Sequence, residues 1–75
     1  MVTLTTSVER SFLRNGTEVF ELRVPAVNES QAQRKARLNA RAKGADSPEV
    51  AEVENIGRSG VPGVSLFLVT VEAAR

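Results

Sequence analysis

The spacing of apolar and polar positions changes along this chain from a period of two to a helical period and back again. Residues 2–13 (VTLTTSVERSFL) put Leu4, Val8 and Phe12 on one parity with Thr6 and Arg10. Thr3, Thr5, Ser7, Glu9 and Ser11 fall on the other. That alternation, rich in threonine, predicts a half-buried strand. Asn15-Gly16 then marks a hairpin. Residues 17–24 (TEVFELRV) alternate again, with Phe20, Leu22 and Val24 on one parity and Val19, Glu21 and Arg23 on the other.

The loop length decides which faces these sets share. A two-residue loop pairs Arg14 with Thr17, sets Phe12 opposite Val19, and sends the two large apolar sets to opposite faces. A three-residue loop with Gly16 in a left-handed bulge pairs Leu13 with Thr17 instead. It then gathers Leu4, Val8, Phe12, Phe20, Leu22 and Val24 on one face. A slip of one residue moves a strand's whole apolar set, so the three-residue loop is the expectation.

A helix is predicted over about residues 29–43, with both ends marked. Asn28 suits the N-cap, Gln31 three residues later completes a capping-box variant by reaching back to the Asn28 amide, and Glu29 suits the positive end of the helix dipole. Val27 and Ala32 sit where a hydrophobic staple would form, and Pro25 marks a break from the preceding strand. Gly44 is placed for the left-handed C′ position, with Arg41 and Lys43 in the last turn and Pro48 beyond. At ~100° per residue Arg34, Arg37 and Arg41 fall within about 60° of one another, a solvent-facing stripe. Ala32, Ala36 and Ala40 form a small-residue strip, Leu38, Ala42 and Ala45 another, and Leu38 is the only large apolar side chain of the helix. Such a helix covers a sheet thinly, and the sheet must supply the bulk of the core.

After a connector at 45–48, residues 49–56 (EVAEVENI) predict a third strand with Val50, Val53 and Ile56 in imperfect alternation, which a bulge would explain. Residues 57–63 (GRSGVPG) predict a loop. Residues 64–73 (VSLFLVTVEA) carry Leu66 and Leu68 on one parity and Phe67, Val69 and Val71 on the other, as expected of a central strand covered on both sides. The fold class expected is α+β, a single ββαββ domain with a four-stranded sheet and one helix on one face. The favoured strand order is 2-1-4-3, with the first and last strands parallel at the centre. This order resembles β-grasp domains in topology alone. An all-antiparallel order such as 2-1-3-4 is the alternative.

Composition narrows the chemistry. The chain has 75 residues and no His, Cys, Tyr or Trp. It therefore lacks the commonest general base, the thiol nucleophile and most zinc ligands, and Ser59 in G-R-S-G has no histidine to activate it. No enzyme activity, cofactor or small-molecule substrate is expected. Residues 1–4 alternate at once without a basic leader, and the apolar run at 64–71 is far short of the ~20 residues of a membrane helix. A cytoplasmic, non-membrane protein is the expectation.

Net charge is only +1, yet residues 28–44 carry five of the ten Lys and Arg against Glu29 alone, leaving −3 elsewhere. Two surfaces follow. Arg34, Lys35, Arg37, Arg41 and Lys43, with Arg58 in the glycine-rich loop, form the candidate face for nucleic-acid phosphates or an acidic protein. No aromatic is expected on the open sheet face, which argues against base stacking there. With Phe67, Val69 and Val71 turned to the helix, Leu66, Leu68 and Val19 are left on that open face, and exposed apolar patches mark association. A homodimer through the open face or a strand edge is therefore expected. Glu49, Glu52 and Glu54, with Glu72, offer oxygen ligands for a hard cation, but glutamates that keep an edge strand unpaired are the commoner arrangement. The glycine-rich loop likewise suits either an anion nest or plain turn geometry. The functional expectation is a non-enzymatic interaction or assembly module that self-associates, with nucleic-acid-backbone binding through the helix as the alternative.

Overall fold

The computed structural model describes residues 6–74. The expected start of the first strand at Val2, and the assignment of Leu4 to its apolar parity, lie outside the described residues. The elements are β1 (Ser7–Arg14), β2 (Thr17–Ala26), α1 (Glu29–Ala42), β3 (Ser47–Arg58) and β4 (Ser65–Ala74). They form a small α+β ββαββ domain in which one helix packs on one face of an open sheet.

All strand pairs are antiparallel and the order is β1-β2-β4-β3. The expected 2-1-4-3 order, with its parallel central pair, does not form. The all-antiparallel alternative is right in direction, but not in its order 2-1-3-4. β4 is central, as an apolar strand on both parities requires. Its inner neighbour is β2 because β2 is also buried on both sides. Phe20, Leu22, Val24 and Ala26 are buried towards the helix, and Val19 and Pro25 are buried on the opposite face. β1 has only Val8 and Phe12 half-buried, so it is the strand that tolerates an edge. β2 and β3 are parallel to each other with β4 between them, and α1 is the crossover that joins them.

The helix crosses β2, β4 and β3 and leaves most of β1 uncovered. Ala32, Ala36 and Ala40 are completely buried against Phe20, Leu22, Val24, Phe67, Val69 and Val71, with Val8, Val50 and Val53 at the margin. Alanines let the helix lie close to the sheet, so the strands provide almost all of the buried bulk.

The hairpin differs from the expectation. Arg14 pairs with Thr17, so the loop is the two residues Asn15 and Gly16. Both have positive φ, 51° and 78°. That is the requirement of a type I′ turn, whose twist matches the strands it joins. The parity conflict is resolved further along, where a bulge at Glu9 offsets Val8 from Arg10. Val8 therefore pairs with Leu22 on the helix side, while Phe12 pairs with Val19 on the open side. β3 carries two further irregularities, at Ala51 and Ile56, which explain its broken alternation. They keep Val50 and Val53 towards the helix and leave Ile56 outside.

Candidate interaction surfaces

The outer face of α1 is positioned by its two ends. Asn28 Oδ1 accepts from the Gln31 amide at 2.8 Å, and Gln31 Oε1 accepts from the Val27 amide at 3.1 Å, one residue earlier than the capping box predicts. At the other end the Ala45 amide donates to Ala40 O and the Gly44 amide to Arg41 O. With Gly44 at φ +100°, these bonds form a Schellman motif. The rotation fixed in this way buries the alanine strip and turns Arg34, Arg37 and Arg41 outward.

All three arginines are exposed, as is Lys43 at the C-cap, and none of the four makes an ion pair among the described residues. Leu38 sits beside this stripe and is 58% exposed. Lys35 belongs elsewhere. It is half-buried and its Nζ donates to Pro25 O at 2.9 Å, tying the helix to the end of β2. Sequence spacing groups Lys35 with the outward cations, but its ammonium is already engaged in the fold.

The open sheet face is ordered in rows that run across all four strands. One row is Phe12, Val19, Glu72 and Glu49; the next is Arg10, Glu21, Thr70 and Glu52; a third is Ser7, Arg23, Leu68 and Glu54. Arg14 and Thr17 lie beyond the first row, and Pro25, Leu66 and Gly57 beyond the third. The β1 edge of this face is basic and aromatic, and the β3 edge is acidic.

Phe12 lies between two guanidinium groups, 5.0 Å from Arg10 and 5.4 Å from Arg14 measured to the ring centroid. Arg10 also pairs with Glu21 at 2.8 Å, and Arg23 with Glu9 at 3.1 Å. Glu49, Glu52 and Glu54 have no ionic partner among the described residues. Among those residues no three acidic groups come together as a metal-binding cluster.

The expected apolar patch is therefore not exposed as such. Val19 is fully buried, and Leu66 and Leu68 are half-buried. The expectation of no aromatic on this face is also overturned, because the two-residue turn and the Glu9 bulge bring Phe12 there. The signal for this site is the spacing Arg10-x-Phe12-x-Arg14, which puts three side chains on one face of any strand.

Arg58 ends β3, exposed, beside an open groove lined by Gly60 to Ser65. The loop is closed from within. Ser59 Oγ donates to Val64 O at 2.8 Å and accepts from the Val61 amide at 3.0 Å. The serine is thus a loop staple, which accounts for its presence without chemistry. No helix among the described residues is long and apolar enough to cross a membrane. No protein-family model matches the chain, and neither a curated protein nor a solved structure matches it significantly.

Proposed function

We propose that this protein is a small interaction module that self-associates through the uncovered face of its sheet. One observation carries the reading. The open parities of β2 and β4 hold Val19, Pro25, Leu66 and Leu68 among polar residues, while α1 covers the other side alone, so the half-buried Phe12, Leu66 and Leu68 lie on a face with no helix above it. The same face carries both signs of charge, and a surface holding both can complement a second copy of itself. Sedimentation equilibrium from micromolar to millimolar protein tests the reading. The wild-type chain is expected to associate, and Leu68→Lys to shift the equilibrium to monomer while circular dichroism stays unchanged. A wild-type chain that remains monomeric into the millimolar range overturns it.

A second reading is favoured by the unpaired stripe on α1. Arg34, Arg37 and Arg41 span about 10 Å along the axis, a length suited to two or three phosphates of one strand. Such binding would be sequence-independent, with a log–log salt slope of about −2 to −3 for three contacts. Changing all three arginines to Gln should abolish binding to mixed DNA and RNA in fluorescence anisotropy. Unchanged affinity would end this reading. The glutamates of β3 argue against nucleic acid spreading onto the sheet, so the site would be confined to the helix.

A further inference from the structure

We infer that the self-associated form is a two-fold dimer of one particular orientation, its axis lying in the interface and parallel to the strands. The inference rests on the self-association reading and adds which strand meets which. Sheets stacked face to face keep their strands within about 30° of alignment. A two-fold axis that superposes the open faces must then run either along the strands or across them.

If the axis runs across the strands, every strand lies over its own copy. Arg10 and Arg14 then face the partner's Arg10 and Arg14, and the row Glu49, Glu52 and Glu54 faces the same three carboxylates. Like charges across an interface exclude wrong pairings strongly. If the axis runs along the strands, each row stays in register but its order is reversed. β1 then lies over the partner's β3, and β2 over the partner's β4.

The rows established by the strand register give the contacts directly. Arg10 meets the partner's Glu52. Arg14 and Phe12 flank the partner's Glu49. Arg23 reaches towards the partner's Glu54 across Leu68, and the half-buried Leu66 lies at the apolar end of the contact, over the strand that carries the partner's Pro25. Every contact occurs twice.

The unused valences of the single chain fit this arrangement. Glu49, Glu52 and Glu54 have no ionic partner among the described residues, and Arg14 has none beyond its stacking on Phe12. Arg10 spends one contact on Glu21 and keeps further N–H donors, since a guanidinium carries five. Edge-to-edge pairing of β1 with β3 is a poorer route, because Pro48 and the bulges at Ala51 and Ile56 interrupt the β3 edge. Four strands about 4.8 Å apart and about eight residues long present roughly 500 Å² per copy. The dimer would bury roughly 1,000 Å², the lower end for specific interfaces. A weak association that salt readily loosens is the consequence.

Charge reversal tests the orientation. One variant carries Arg10→Glu with Arg14→Glu, the other Glu49→Arg with Glu52→Arg. Each alone should weaken self-association tenfold or more, and an equimolar mixture should recover the wild-type dissociation constant as a heterodimer, because both ends of the interface are then matched. Arg14→Glu alone, which breaks no ion pair within the chain, should weaken the dimer in the same direction and guards against a folding defect. A wild-type monomer at all concentrations overturns the self-association reading and this inference together. A wild-type dimer that the reversals leave intact, or that mixing fails to restore, overturns the orientation and leaves self-association standing. Growth beyond dimers that stops when Arg34, Arg37 and Arg41 become Gln would overturn it in favour of helix-on-sheet stacking.

Discussion

The two faces of the sheet are made by the same strands with the same alternation, yet they differ in what they hold. The covered face has Phe20, Leu22, Val24, Phe67, Val69 and Val71 under an alanine strip, and no polar or charged residue is buried among the described residues. The open face carries arginines along one edge, glutamates along the other, and apolar side chains half-shielded between them. Burial on the covered side supplies the stability of a small domain, and the charged side chains opposite stay at least partly exposed. A helix with bulky inward residues would have shared the core with the sheet. The alanine helix instead makes the fold depend on the strands.

The sharpest way to break this comparison is to truncate neighbours on β4. Phe67→Ala removes a large side chain that is 4% exposed and should cost ~3–5 kcal/mol in a urea titration. A domain of this size has only ~5–8 kcal/mol in total, so this variant should be partly unfolded at room temperature. Leu68→Ala, the next residue and on the open face, should cost about 1 kcal/mol in the monomer because the site is already partly solvated. Equal costs would mean that the open face is also core, and the division between the faces would not hold.

Local chemistry in the sequence fixes the helix and its ends well: Asn28 and Gly44 take the capping roles their residue types favour, and Gln31 also acts at short range, though on the Val27 amide rather than that of Asn28. The outward direction of Arg34, Arg37 and Arg41 follows from the same periodicity. Alternation also yields the four strands and the central place of β4. It fails at the bulges, because one extra residue at Glu9 swaps the parity of everything on one side of it, and no residue type there announces the swap. Alternation alone therefore places Phe12 in the core and hides the Arg10-Phe12-Arg14 surface with it. The expected 2-1-4-3 order follows from crossover handedness and the apolar last strand, neither of which registers the burial of Val19. Its complete burial is what marks β2 as the second central strand. Lys35 shows a third limit. Its spacing is that of a solvated cation, and only the position of Pro25 O in space makes it an anchor.

The smallest effect tests whether the open-face charges belong to the fold or are free for contact. The Arg10–Glu21 pair is 2.8 Å long, but the arginine side chain is 66% exposed. A double-mutant cycle with Arg10→Gln and Glu21→Gln, run at protein concentrations where the chain is monomeric, should give a coupling of ~0.2–1 kcal/mol. That coupling should shrink as salt is raised, since exposed pairs are screened within about 10 Å at 0.1 M. The stacking of Arg10 on Phe12 adds a term that the cycle cancels, because it is lost in both backgrounds. A coupling well above 1 kcal/mol would make Arg10 a structural residue held by Glu21. A coupling within the expected range leaves the guanidinium only loosely committed inside its own chain. The covered face would then hold the molecule together through burial, and the open face would keep its charges for a second surface.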